Sequence, residues 1–252
     1  MIRFLTSIAV LPLFLCLFVL SSVQAFSGEY ELTTNKAEFM AEYPDLKRQD
    51  FSNASIAQGA VKFCPSPLDT LSNNNCVAPG VIMEGLRFRA GTPGDDNLNL
   101  FGSNFPGIAN TENVLTENIL SSFNVDFLKN DYNVVGLLIG CVGRIGVPQC
   151  SDSLRVDIFA PGDIAVIGST TVEATDAFDT FLGISSFEPI SSIRLSKIGD
   201  TDTTFPGVSV VYFGMSARTV PTMSEWGMFI TVAALGIIGL LVMQRRRRAL
   251  KS

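Results

Sequence analysis

Phe123-Asn124-Val125-Asp126-Phe127 is the stretch that decides the fold. Three apolar side chains alternate with two polar ones, the period of an extended strand with one face in a core and the other in water. The same alternation recurs through the chain. Leu86 and Phe88 flank Arg87 and Arg89; Leu154, Val156 and Ile158 flank Arg155 and Asp157; Ile193 and Leu195 flank Arg194 and Ser196. Val134 to Ile139 does not alternate, and its continuous apolar run predicts a central strand buried on both faces. Pro161-Gly162-Asp163 and Gly199-Asp200 are turn signals between strands, and Val208 to Phe213 predicts a closing strand. Many short strands at even spacing favour a mainly β domain, a β-sandwich or jelly roll, over a parallel α/β sheet. The exception is Asn35 to Tyr43, where Asn35 caps a short N-terminal helix with Glu38 three residues on and Phe39 facing inward.

The two ends of the chain read differently. Met1 to Ala25 has the parts of a secretory signal: Arg3 as the positive region, Phe4 to Leu20 as the apolar region, and Val23-Gln24-Ala25 as the cleavage site, so the mature chain is expected to start near Phe26. An uncleaved anchor is the alternative; Leu15 is too large for a lipoprotein reading of Cys16. At the other end, Gly227 to Met243 carries no charge, and as a helix it spans about 25 Å, the short end of what crosses a bilayer. Arg245, Arg246, Arg247 and Arg248, with Lys251, follow it as a basic stop expected to stay on the cytoplasmic side, and Trp226 stands where an interfacial aromatic belongs. The expected division is therefore a signal peptide (1–25), an extracytoplasmic domain (26–219) and a tail (220–252), the tail comprising a motif (220–227), a transmembrane helix (228–243) and the basic stop (245–251).

Residues 26–219 contain 12 Lys and Arg against 23 Asp and Glu, a net charge of −11. So acidic a domain argues against nucleic acid and anionic membranes as partners, and suits solubility, cation binding or contact with neutral polymers. Without Cys16, four cysteines remain in an exported chain, which predicts two disulfides. Three connectivities are open. The sequence-local pairing, Cys64–Cys76 and Cys141–Cys150, is favoured because each closes a loop rich in Asn, Gly or Pro. Zinc is disfavoured: there is no Cys-x-x-Cys spacing and no histidine.

The absence of histidine also removes Ser-His-Asp and Cys-His catalysis. No glycine-rich phosphate loop opens a helix; Gly136 and Gly140 read as close packing or a bulge within a strand. A hydrolase with paired carboxylates is a third-choice reading, since 23 acids offer no rule for choosing two. No enzyme and no cofactor are expected, with Ca²⁺ the one candidate ligand: Asp95, Asp96, Asn97 and Asn99 form an oxygen-rich loop that supplies hard ligands, against the alternative of an Asx turn. Asp200 and Asp202 are a weaker version of the same pattern. Arg87 and Arg89 read as a solvated strand face. Tyr30, Tyr43, Tyr132 and Tyr212 could stack on a sugar, but the single tryptophan, Trp226, lies in the tail, so an aromatic-rich sugar cleft is not evident; Asn53-Ala54-Ser55 matches a glycosylation sequon.

The tail resembles the IPTL-CTERM signal, one of the PEP-CTERM-like sorting signals handled by exosortases in Gram-negative bacteria. That pattern is Ile-Pro-Thr-Leu-Ser-Glu-Trp-Gly, a transmembrane helix and an arginine cluster. Pro221, Thr222, Ser224, Glu225, Trp226 and Gly227 match it position for position, while Val220 and Met223 are apolar replacements for its Ile and Leu. The resemblance implies recognition by a membrane-embedded exosortase, followed by cleavage and transfer to the envelope surface. The domain itself resembles the β-sandwich bodies of PEP-CTERM proteins in short fragments: Lys36-Ala37-Glu38-Phe39 leading to Asp50-Phe51, then Phe181-Leu182-Gly183-Ile184, Pro189-Ile190 and Val208 to Gly214. This implies a galactose-binding-like jelly roll and maps no catalytic residue. The function expected from both ends is an exported cell-surface protein with a structural or adhesive role, its candidate partners being an exosortase, the membrane and exopolysaccharide. The first alternative is a Ca²⁺-dependent carbohydrate-binding module.

Overall fold

Alternating strands must bury their apolar faces, and here two sheets bury theirs against each other. The computed structural model describes residues 30–91, 97–117, 122–143, 150–162, 166–199 and 204–216. The expected signal peptide, transmembrane helix and basic stop lie outside them. Among the described residues no helix is long and apolar enough to cross a membrane.

The elements run β1 (Tyr30–Thr33), α1 (Lys36–Glu42), β2 (Lys47–Asp50), β3 (Val61–Pro65), β4 (Leu68–Asp69), β5 (Leu86–Ala90), β6 (Asn97–Phe101), β7 (Val114–Glu117), β8 (Ser122–Phe127), β9 (Val134–Gly143), β10 (Ser151–Phe159), β11 (Val166–Thr175), β12 (Thr180–Ser186), β13 (Ser192–Lys197) and β14 (Thr204–Gly214). One sheet has the order β1-β12-β9-β14-β7-β6-β3, with β2 also on β14; the other has the order β11-β10-β13-β8-β5-β4. The pairings are antiparallel. The mainly β sandwich is therefore what the alternation predicts, and the short N-terminal helix what the Asn35–Glu38 cap predicts.

The inward residues of both sheets form one core. Val135, Leu137, Ile139 and Cys141 of β9 meet Phe88, Phe123, Val125, Val156, Ile158, Ile193 and Leu195 of the second sheet. Of the intervening residues of β9, Val134, Gly136, Gly140 and Val142 are buried too, on the far side, and Leu138 is half-buried. Val134 packs with Phe39, Phe181, Val210 and Tyr212. Val142 packs with Phe101, Val114 and Phe178. The run that refuses to alternate does so because both of its faces are covered.

Helix α1 supplies part of that cover. Asn35 Oδ1 accepts from Glu38 N at 3.2 Å, and Glu38 Oε2 accepts from Asn35 Nδ2 at 3.2 Å. Glycines open the space the rings occupy: a Cβ on Gly136 would meet Phe39 and Phe181 at 3.0–3.1 Å, and one on Gly140 would run into the Phe178 ring and lie 2.7 Å from Thr175 O. Strand β14 changes its inward parity at a register shift between Val208 and Val210. Val208, Val211 and Phe213 consequently face the main core, and Val210 and Tyr212 the helix side.

The outer face of the six-stranded sheet is more closed than the simple alternation implies. Arg87 and Arg89 are half-buried rather than freely solvated. Register sets Arg87 opposite Asp126 and Arg89 opposite Asn124. Arg89 Nε lies 2.6 Å from Asp126 Oδ2, and Arg194 Nε donates to Asn124 Oδ1 at 3.1 Å. Long guanidinium side chains thus roof over the shorter polar ones between them.

Cys64 pairs with Cys76 and Cys141 with Cys150. The first bond fastens a loop onto edge strand β3, where Asn75 Nδ2 donates to Phe63 O at 3.3 Å and Lys62 Nζ to Asn75 O at 2.7 Å. Replacing Cys64 and Cys76 together by serine is expected to cost about 3 kcal/mol, read as a lower midpoint in urea unfolding. Gly140→Ala is expected to cost about 1–3 kcal/mol by forcing Phe178 out of its seat, measured in the same way.

Candidate polar groove

The shift in β14 also creates a seam. Below it β14 pairs with β7 at Gly207 and Val208; above it the same flank pairs with β2 from Val210 to Phe213. Beyond the seam, the end of β2 and the segment leading into β7 diverge, and a groove of about 550 Å³ opens between them.

Its floor is ordered by Asn113, whose Nδ2 donates to Phe51 O at 2.8 Å and whose Oδ1 accepts from Ser103 N at 2.9 Å. Asp50 is positioned by Ser52, whose backbone N and Oγ donate to Asp50 Oδ1 at 3.0 and 2.6 Å. Arg48 bridges the groove, with Nη1 on Asp50 Oδ2 and Nη2 3.3 Å from Glu112 Oε1. Arg48 and Glu112 are both exposed, so that second pair is worth under about 1 kcal/mol and yields readily to a ligand. Gln58 and Ser103 add polar groups, and Ile56 and Phe51 an apolar patch.

Fixed acceptors, a five-donor guanidinium, hydroxyls and amides beside a small apolar surface suit a neutral polyhydroxylated ligand. The same guanidinium lies against both carboxylates, closely on Asp50 and loosely on the exposed Glu112.

The residues singled out by sequence are dispersed. Asp95 and Asp96 lie outside the described residues, as do Asp200, Asp202 and the sorting motif Val220 to Gly227. Asn97 is exposed at the start of β6, while Asn99 is buried within it. Asn99 Nδ2 donates to Glu117 O at 3.4 Å, and its Oδ1 has no partner among the described residues. Among the described residues no group of three or more Cys, Asp or Glu is placed to hold a metal ion. Tyr43, Tyr132 and Tyr212 are buried, which removes them as stacking platforms; Tyr30 packs against the main core. Asn53 is exposed in a turn.

The groove residues carry no sequence signature. Arg48, Asp50, Glu112 and Asn113 are common types, brought together only by the break in strand pairing. Comparison with family models, curated proteins and solved structures finds no match to this chain.

Asn113→Ala removes two hydrogen bonds that join separate loops. The expected loss is about 1–3 kcal/mol of stability, read from the urea midpoint, with a larger local effect seen as faster hydrogen exchange at Ser103 N.

Proposed function

We propose that this chain is an exported protein of the bacterial envelope, delivered by an exosortase-type C-terminal signal, with a structural or adhesive role at the surface. The two disulfides in a small β domain carry the reading, since such bonds persist in oxidising, extracytoplasmic compartments. The apolar leader before Phe26 and the Val220 to Gly227 motif, with its uncharged span and arginine stop, support the route. In this reading the span is a transmembrane helix before processing, the fold is a jelly roll of the galactose-binding type, and exopolysaccharide is the matrix partner. The polar groove bridged by Arg48 is where a neutral glycan chain would rest.

Mass spectrometry of the native protein tests the route. The expected ends are Phe26 at the N-terminus and a C-terminus trimmed within the tail when an exosortase is present. Full-length protein recovered from the cytosol with reduced thiols would overturn it. Arg48→Ala tests the groove: binding to a neutral glycan array is expected to fall about tenfold or more, a change of about 1.4 kcal/mol, while the urea midpoint stays within about 0.5 kcal/mol of the parent.

A Ca²⁺-dependent carbohydrate-binding module is the second reading. The observation favouring it is Asn99, whose buried Oδ1 lacks a partner among the described residues and which follows Asp95, Asp96 and Asn97 closely in sequence. Calorimetric titration with Ca²⁺, then with glycans with and without a chelator, separates the two: no Ca²⁺ heat and chelator-independent glycan binding reject this alternative.

A further inference from the structure

The strands at the borders of the two sheets are β1, β2, β3, β4 and β11. Four of them are guarded against pairing with another chain. β1 is four residues long and includes Glu31. β2 is also four residues and includes Lys47, Arg48 and Asp50. β3 includes Lys62, ends at Pro65, and gives its Phe63 carbonyl to Asn75. β4 has two residues. Brevity, charge, proline and covering loops are the means by which native sheets keep an outer strand from adding a partner.

β11 differs. It has ten residues and, among the described residues, is bonded to β10 alone. Its two ends are closed. The register slips opposite Ile158 and Phe159, so the first residues leave the regular ladder. At the other end Thr180 Oγ1 donates to Glu173 O at 2.8 Å, and Phe178 N to Thr175 O at 3.4 Å. Between them lies Gly168-Ser169-Thr170-Thr171-Val172, with no charge, no proline and three β-branched side chains. Ser169 and Thr171 are exposed and Thr170 half-buried. Among the described residues, this segment has no backbone hydrogen bond beyond the β10 ladder.

We propose that Gly168–Val172 pairs antiparallel with the same segment of a second copy of this chain, joining two six-stranded sheets into one across a two-fold axis. The segment is complementary to itself. With Thr170 on the axis, Thr171 faces Ser169, Val172 faces Gly168, and Glu173 faces Ile167 of the other copy. Glu173, the one charged residue of β11, therefore never meets its own counterpart, and each larger side chain faces a smaller one. A different extended peptide would satisfy the backbone equally but has no such match of charge and size.

Sedimentation velocity on the full chain in a neutral detergent, with both disulfides formed, tests this over a concentration series. The parent is expected to pass from monomer to dimer. Thr171→Lys is expected to weaken the dimer by about tenfold or more while leaving the unfolding midpoint unchanged. In the proposed pair Thr170 lies across from itself, at the Cα separation of about 4.5–5.5 Å that directly opposed residues of an antiparallel ladder adopt, which is within disulfide reach. Thr170→Cys is thus expected to give a covalent homodimer faster than Leu71→Cys, placed at an exposed position elsewhere. A parent that stays monomeric throughout, a dimer indifferent to Thr171→Lys, or equal cross-linking from the two cysteines would each overturn the proposal.

Discussion

The requirement on which this structure depends is that β9 be dry on both sides. A strand reading Val-Val-Gly-Leu-Leu-Ile-Gly-Cys-Val-Gly cannot leave either face in water without exposing several large aliphatic groups. One face is satisfied by the opposing sheet. The other needs its own cover, and the chain assembles it from distant pieces: the capped helix α1, the Phe178 turn, and the loop bearing Phe105 and Ile108. The glycines within β9 are part of the same solution, because a ring can lie flat on a strand only where no Cβ stands in its way. The sandwich therefore has a third, partial layer, built around the one strand that most needs it.

The shift in β14 follows from the same demand. A regularly alternating β14 could not place both Val208 and Val211 in the main core. Setting Ser209 out of the ladder allows it, and Ser209 Oγ finds an acceptor in Phe178 O at 3.3 Å. The shift also separates β7 from β2 along one flank, and the polar groove is the gap that results. A packing adjustment at the centre of the sheet thus goes with a concavity at its margin.

Much of the fold was legible in the chain. The strands that alternate cleanly, such as Leu86–Ala90 and Phe123–Phe127, declare their inward faces, and the Asn35–Glu38 spacing declares the cap. Pairing order was not legible, because antiparallel ladders between distant strands leave no local mark. The roofing of the arginine face was hidden for a related reason: whether Arg89 is solvated depends on Asp126, 37 residues away. The groove was hidden altogether, since it arises from the interruption of a strand partnership and not from any spacing of Arg48, Asp50 and Glu112. The burial of Tyr43, Tyr132 and Tyr212 was hidden as well, since residue type alone does not say which side of a strand or loop a ring occupies.

The position of β14 has a mechanical consequence. It is the last strand of the sandwich, yet it runs through the middle of its sheet, bonded to β9 along one side and to β7 and β2 along the other. Ser216, just past its end, is held by Asn133 Oδ1 at 2.7 Å. Tension arriving from the C-terminal side would act along this strand, loading its ladders in shear, many bonds at once, where a border strand would unzip one bond at a time.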